Sequence, residues 1–305
     1  MGAERFGSDK LALMRSMLGV SIPMRRLNPL TETETPVRET PYSKGEWKVV
    51  ECLETGMVFL QNPPDYSAFI EDFAWEKTFE EESKRRREAE PVIAYTSGVG
   101  KSLRRKLRKR ERIEKVAFKT LLRIEREREP GSDISMVDVG CGTGEKLVRI
   151  TRYFKEQRGV EVKPLGVEIS AQLSKETNER LGELDGHCIH AAAIEGLESL
   201  EDGSVDLVIL CSYLEHEVEP MAVLRAVFQK LRKGGYVIIK VPNFGCWNRY
   251  LRQERWCGFR YPDHVNYFTP NTLTRMIETS GLKLWKMNFY DRLPTNDNVW
   301  AIARR

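Results

Sequence analysis

One segment, Met136–Glu145, constrains the fold of this chain more than any other. An apolar run ends at Val139, glycines follow at alternate positions (Gly140, Gly142 and Gly144), and a helical pattern starts at once. Glycines allow a backbone to turn sharply and to approach a ligand closely, and a helix start offers free N–H groups to an anion. The segment therefore predicts a strand, a ligand-binding loop and a helix. Its G-x-G-x-G spacing disfavours a dinucleotide-binding dehydrogenase, whose loop reads G-x-G-x-x-G.

Beyond this loop, apolar runs alternate with helical patterns. That alternation predicts parallel βαβ units with right-handed crossovers. The end of the chain differs, because a helix over Pro270–Ser280 is followed by two apolar runs, Lys283–Tyr290 and Val299–Arg304, which only a loop joins. A connection without a helix makes the last strand antiparallel to its neighbour. We predict an α/β, Rossmann-like fold: a seven-stranded mixed sheet with helices on both faces, an antiparallel last strand and an N-terminal helical and hairpin extension.

The first 130 residues do not show this alternation of apolar runs and helical patterns. Residues 1–45 contain several prolines and a threonine-rich stretch and show no regular helix or strand pattern, which predicts a flexible tail. Trp47–Leu60 predicts a strand pair with its turn at Glu54–Gly56, and charged helical sequence continues to Glu129. We therefore expect three parts: the tail 1–45, a hairpin and charged helical extension 46–130, and an α/β domain 131–305.

Val137–Gly144 resembles the first motif of the class I S-adenosylmethionine (SAM) dependent methyltransferase superfamily, and the likeness to a bacterial-type small-molecule branch covers about 46–305. The resemblance implies SAM as cofactor and makes 131–305 a methyltransferase domain. An acid at the end of the second strand, here Glu168, can accept both hydroxyls of a ribose. One departure is Ala191–Ala193, which stands where the family commonly has an adenine-binding Asp. The expected cofactor-binding residues are Asp138, Gly140, Cys141, Gly142, Gly144, Glu168 and Ile169.

Two later segments supply catalytic candidates. Gly203–His216 resembles the family's fourth strand and the Leu-Glu-His that follows it, and histidine is the natural base for a hydroxyl acceptor. His264 and Tyr267 follow the fifth strand, where open α/β sheets bind ligands, in a segment that resembles the His-x-x-Tyr-Phe-Thr-Pro of a bacterial branch. We expect catalytic roles for His216, His264 and Tyr267. A hydrogen-bonded structural role is open for His216, and His264 could instead hold the helix start at Pro270.

No metal is expected. Some relatives that methylate quinone precursors bind one with Glu-x-x-Glu-His, but Ser212 stands here in place of the first Glu. The six cysteines form no C-x-x-C pair, which argues against zinc and disulfides and for a reducing compartment. No apolar run approaches the ~20 residues that span a bilayer. These observations predict a cytoplasmic protein.

Lys101–Arg112 is strongly basic, with Glu111 as its one acid. Such a helix could bind nucleic-acid phosphates or an anionic membrane surface. We favour a helix that packs on the domain with its charged face in solvent. Acidic residues follow the basic run and balance it, and the run contains no aromatic residues. The leading hypothesis is methyl transfer to an oxygen or nitrogen of a small or medium-sized acceptor. The alternatives are an RNA-modifying or membrane-surface methyltransferase and a catalytically silent SAM-binding module; the oligomeric state is left open.

Overall fold

The computed structural model describes residues 26–63 and 112–305. Seven strands form its main sheet: β4 (Ile134–Val139), β5 (Val162–Glu168), β6 (His187–His190), β7 (Val205–Cys211), β8 (Leu231–Pro242), β10 (Lys283–Lys286) and β11 (Asn298–Arg304). Their order is β10-β11-β8-β7-β4-β5-β6, and β11 is antiparallel to both of its neighbours. The predicted mixed sheet with an antiparallel last strand is confirmed.

Helices cover both faces of this sheet. They are α1 (Arg112–Glu127), α2 (Glu145–Arg158), α3 (Ala171–Gly182), α4 (Ala193–Glu198), α5 (Pro220–Lys230), α6 (Trp247–Arg252), α7 (Pro270–Thr279) and α8 (Phe289–Arg292). Apolar side chains of α1 and α2 pack in one buried cluster, and those of α4, α5 and α7 pack in another. Because the central strands are apolar on both sides, they need a helical layer on each face.

A second, four-stranded sheet joins the N-terminal hairpin to a late loop. Its strands are β1 (Val37–Glu39), β2 (Val49–Cys52), β3 (Val58–Leu60) and β9 (Asn266–Tyr267), in the order β1-β2-β3-β9. The predicted hairpin is present as β2 and β3, which pair antiparallel with Val49 opposite Leu60. The pairing of β3 with β9 was not predicted, and it places the hairpin against the loop that carries His264.

The expectation of a loosely ordered tail does not fit residues 26–45. Val37–Glu39 pairs with β2, and Arg26 and Leu30 are buried. Backbone pairing and a few buried side chains hold this segment in place. It has no amphipathic face, so its sequence shows no periodic pattern of apolar residues. The boundaries of the three expected parts stay predictions.

The basic helix Lys101–Arg112 lies outside the described residues except for its last member. The Arg112 guanidinium pairs with the buried carboxylate of Asp291 and lies over the ring of Trp300. Within 26–63 and 112–305, the model contains no helix with the length and apolar character needed to cross a membrane.

A buried ion-pair network ties α1 to the sheet. Asp206, which is fully buried at the start of β7, accepts from Arg128 and Arg232 and from the backbone N–H of Ser135. Removing one partner of a buried pair leaves charge without compensation, which typically costs about 3–5 kcal/mol.

Asp206→Ala is therefore expected to lower the free energy of unfolding by roughly 3 kcal/mol in urea denaturation. The control is Glu183→Ala, which breaks an ion pair with Arg152 between two exposed side chains and should leave stability nearly unchanged. Equal effects of the two substitutions would show that the network at Asp206 does not stabilise the fold.

Candidate active site

The glycine loop follows β4 and has the backbone conformation that its sequence predicts. Gly140, Gly142 and Gly144 have φ angles of 66°, 58° and 70°. A Cβ at Gly140 would lie 2.7 Å from the Tyr213 ring, and one at Gly144 would lie 2.8 Å from Thr177. A Cβ at Gly142 would meet no protein atom within 4 Å. Gly140 and Gly144 are thus required by packing, whereas Gly142 faces open space in which a ligand can approach the backbone.

Glu168 lies at the end of β5 and is hydrogen-bonded to this loop. One carboxylate oxygen accepts from the Gly142 N–H at 2.9 Å, and the other accepts from the Ser170 N–H at 3.0 Å. Each carboxylate oxygen has a second lone pair, so both can still accept from a ligand hydroxyl. Ile169 follows and is 46% exposed, which leaves an apolar surface beside the acid.

Asp138 points into the protein interior. It is fully buried, and the ammonium of Lys146 lies 2.9 Å from its carboxylate. Burial raises the pKa of Asp138 to about 6, although Lys146 opposes that rise. Asp138 thus holds the start of α2 against β4, directly below the glycine loop. The sequence reasoning missed Lys146, because a lysine early in a helix carries no signal of a buried partner.

His216 and His264 come together at the carboxyl end of the sheet. Their ring centroids are 4.5 Å apart and their planes are nearly perpendicular. Nδ1 of His216 lies 3.0 Å from the Asp263 carbonyl oxygen, and Nδ1 of His264 lies 2.8 Å from the Gly258 carbonyl oxygen. A carbonyl oxygen only accepts, so both Nδ1 atoms carry a proton. Burial, reinforced by the charge of Arg260, lowers the pKa of His216 to about 4, so its ring is neutral at pH 7.

Glu215 is a buried carboxylate beside these rings that the sequence reasoning did not select. Among the described residues, its Oε2 has no hydrogen-bond partner. Burial raises its pKa to about 7, against the opposing charges of Lys240 and Arg260. Ligand atoms of Glu215, His216 and His264 all lie within 4.8 Å of one another, so these residues could hold a metal ion. The two neighbouring cations oppose a further positive charge there.

Backbone contacts from distant residues fix this corner. The Arg26 guanidinium donates to the carbonyls of Glu217, Val218 and Val265, and the Asn266 amide donates to the carbonyls of Leu214 and Glu217. Both residues thereby tie the loop of His216 to the loop of His264. Neither contact is visible in a sequence pattern, since the acceptors are backbone atoms.

Tyr267 lies in a buried aromatic cluster. It is buried, and its ring centroid is 5.8 Å from that of Phe244 and 5.4 Å from that of Phe259. The backbone of β9 places it on the face that packs under the hairpin. The structure thus brings His216 and His264 together, whereas Tyr267 packs with the hairpin and the aromatic cluster.

Comparison with known proteins identifies the family. Residues 107–287, more than half of the chain, match the family described as a methyltransferase domain. The chain belongs to this family. It is a SAM-dependent methyltransferase, and the predicted cofactor is confirmed as SAM.

Several curated methyltransferases are similar in sequence. The ubiquinone biosynthesis O-methyltransferase of Cupriavidus pinatubonensis is 26% identical over 178 residues, which cover 55% of this chain and 68% of that protein. The probable S-adenosylmethionine-dependent methyltransferase CRG1 of Saccharomyces cerevisiae is 39% identical over 79 residues, 26% of each protein. Among solved structures, geranyl diphosphate C-methyltransferase of Streptomyces coelicolor aligns at a TM-score of 0.46 and 17% identity, covering 61% of this chain and 75% of that one.

The methyltransferase loop fits the shape and chemistry of SAM. The open space at Gly142 allows the cofactor to approach the backbone, and Glu168 retains acceptor capacity for ribose hydroxyls. The N-terminus of α2, which begins at Glu145, directs backbone N–H groups toward the same loop and suits a carboxylate. When bound, SAM supplies an electrophilic methyl group.

Gly142→Val should weaken SAM binding by at least about tenfold, because a branched side chain would fill the space into which the cofactor fits. Calorimetric titration with SAM measures the change. The matched control is Gly159→Val at the end of α2, where φ is 68° and a Cβ also meets nothing within 4 Å. Both substitutions carry a similar backbone strain of about 1–2 kcal/mol, but only the first should affect SAM. Unchanged affinity in Gly142→Val would remove this loop from the cofactor site.

Glu215→Gln should change how stability depends on pH. The folded-state pKa of Glu215 is raised to about 7, so the wild type loses stability as pH rises from about 4.5 to about 7. The neutral amide avoids this loss. The unfolding free energy of the variant relative to wild type should therefore increase over that range by up to about 3 kcal/mol. Urea denaturation at pH 5, 6, 7 and 8 measures the difference; a difference that does not vary with pH would contradict a raised pKa.

Proposed function

We propose that this enzyme methylates a hydroxyl oxygen of a small or medium-sized acceptor, with His216 as the proton acceptor. The observation that carries the proposal is the neutral His216 imidazole, which follows β7 beside the cofactor loop with the ring of His264 against it. Since β7 pairs in parallel with β4, the segments that follow them lie side by side. Tyr213, three residues before His216, packs on Gly140 of that loop.

His216 suits this role better than its neighbours do. Its Nδ1–H bond to the Asp263 carbonyl fixes the tautomer that leaves the Nε2 lone pair available, and the residue is more exposed than His264. His264 is almost fully buried and meets His216 edge-on, so we assign it to positioning that ring. We assign Tyr267, from its place in the aromatic cluster, to supporting the same loop.

The cofactor side of the site is assigned on similar grounds. Glu168 binds the ribose, Ile169 packs on the adenine, and Gly140, Cys141, Gly142 and Gly144 form the loop around the rest of SAM. Asp138 acts through Lys146, by holding the start of α2 in place. The proximity of this loop to His216 brings the acceptor oxygen and its proton acceptor to one place, and such positioning accounts for much of enzymatic rate enhancement.

The names of relatives support oxygen as the acceptor atom, because several of the similar proteins, from different bacteria, are ubiquinone biosynthesis O-methyltransferases. The chain spans 68% of the length of the Cupriavidus pinatubonensis relative and 61% of that of the Idiomarina loihiensis relative. The acceptor we propose is therefore a small molecule with an ionisable hydroxyl. None of the six cysteines, all of which lie in the described residues, forms a disulfide, which supports a cytoplasmic location.

His216→Ala is expected to lower kcat by ~10²–10⁴ and to leave SAM affinity nearly unchanged, because loss of a general base affects proton transfer only. Turnover is followed with methyl-labelled SAM against a panel of phenolic acceptors. His187→Ala, which removes an exposed histidine at the start of β6, is the control and should retain full turnover. Full turnover in His216→Ala would make this histidine structural.

Dialysis against a chelator separates a base from a metal site. Because Lys240 and Arg260 oppose a cation beside Glu215, we expect turnover to survive chelation without any added metal. If turnover were lost and divalent ions restored it, Glu215, His216 and His264 would be metal ligands and the general-base assignment would be wrong.

A further inference from the structure

A cysteine of the cofactor loop contacts a cysteine of a neighbouring strand. Cys141 lies in the loop between Gly140 and Gly142, and Cys188 lies in β6. Their sulfur atoms are 3.7 Å apart, and the residues are 6% and 7% exposed. A disulfide needs a separation of about 2.05 Å, so the sulfurs have to approach by only about 1.7 Å.

Gly166 is the reason that these two sulfurs can touch. It lies in β5, between the two segments, and pairs with Cys188. A Cβ at this position would lie 2.7 Å from the Cys141 sulfur and 3.0 Å from the Cys188 sulfur. Any larger residue would therefore separate the two thiols.

Helix α3 determines which of the two cysteines can move. The Asn178 side chain accepts from the Cys188 N–H at 2.7 Å and donates to the Cys188 carbonyl at 3.1 Å, which clamps the backbone of Cys188 on both sides. The loop around Cys141 is flanked by glycines, which tolerate backbone adjustment. Shortening the distance between the sulfurs therefore draws Cys141 toward Cys188.

We propose that Cys141 and Cys188 form a redox-modification site, in which a hydroperoxide converts the two thiols to a disulfide and thereby weakens SAM binding. The Cys188 sulfur attacks the hydroperoxide oxygen, giving a sulfenic acid and releasing an alcohol or water. The Cys141 thiol then attacks the sulfenic sulfur, its proton leaves with the hydroxyl as water, and the S–S bond forms. The hydroperoxide is reduced by two electrons and the thiol pair is oxidised by two.

The contact between the two thiols favours this order of events. Their hydrogen bond lowers the pKa of Cys188 and, together with burial, raises the pKa of Cys141. Because the thiolate is the reactive form, Cys188 is oxidised first and Cys141 completes the bond.

The disulfide acts on the cofactor through Gly142. The N–H of Gly142 binds Glu168, and its carbonyl accepts from Thr177 at 2.7 Å. Drawing Cys141 toward β6 displaces this neighbouring residue from the geometry that the cofactor requires. The inference rests on the proposed assignment of this loop to SAM.

The test treats the full-length protein with hydrogen peroxide, with and without later reduction by dithiothreitol. Peptide mass spectrometry detects a Cys141–Cys188 cross-link, and calorimetry measures SAM affinity. We expect a reducible cross-link and an affinity for SAM at least about tenfold weaker, restored by reduction.

Cys188→Ser should form no cross-link and keep its SAM affinity after peroxide; Cys188→Ala provides a second variant if the first folds poorly. Cys257→Ser, which removes an exposed thiol, should behave like the wild type.

Two results would overturn the inference: no cross-link while Cys257 is oxidised, or a cross-link that leaves SAM affinity unchanged. Equal loss of affinity in peroxide-treated Cys188→Ser would also overturn it, since another group would then be responsible. If the reduced wild type did not bind SAM at all, the proposed cofactor site would fail, and mass spectrometry would still decide whether the disulfide forms.

Discussion

The hydrogen bonds that Glu168 accepts hold the ends of β4 and β5 in one arrangement. Three glycines with positive φ would otherwise leave the loop free to adopt many conformations, because glycine loses more conformational freedom on folding than any other residue. The bond from the Gly142 N–H fixes that loop, and the bond from the Ser170 N–H fixes the turn into α3. Tyr213 then packs on one side of the loop and Thr177 on the other. Through Tyr213, the loop that Glu168 holds is in contact with the segment that leads to His216.

Buried carboxylates have different surroundings at the two ends of the sheet. Asp206, at the start of β7, is neutralised by two guanidinium groups and a backbone N–H. Asp138 and Glu215, near the other end, have pKa values raised to about 6 and about 7 because burial outweighs their neighbouring cations. Complete pairing is typical of a structural network, whereas raised pKa values cluster at functional sites. The contrast agrees with a site at the carboxyl ends of the strands.

Much of the fold could be predicted from the sequence because its signals are local. The apolar runs, the glycine loop and the helix start at Pro270 each depend on neighbours a few residues away. The antiparallel last strand was predicted from a final connection without a helix; the structure has the antiparallel strand, but the connection contains the short helix α8. His216 and His264 were expected near one site because both follow strands of the same sheet. What could not be predicted depends on backbone acceptors far along the chain: Arg26 binds carbonyls near both histidines. For the same reason, no pattern in residues 26–45 indicated their packing, and the short strand at Tyr267 read as loop.

The pairing of β3 with β9 has a consequence for how the protein acquires its active site. Val58 pairs with Tyr267, a contact between residues separated by about 200 positions. During synthesis the hairpin emerges early, but the strand that completes its sheet emerges only after most of the main sheet has been made. Contacts of high sequence separation slow folding, because closing the long intervening chain costs entropy before the contact is made. The loop that carries His264 therefore cannot pair with the hairpin until residue 267 has been made, whereas every strand and helix that surrounds the glycine loop precedes it in the chain.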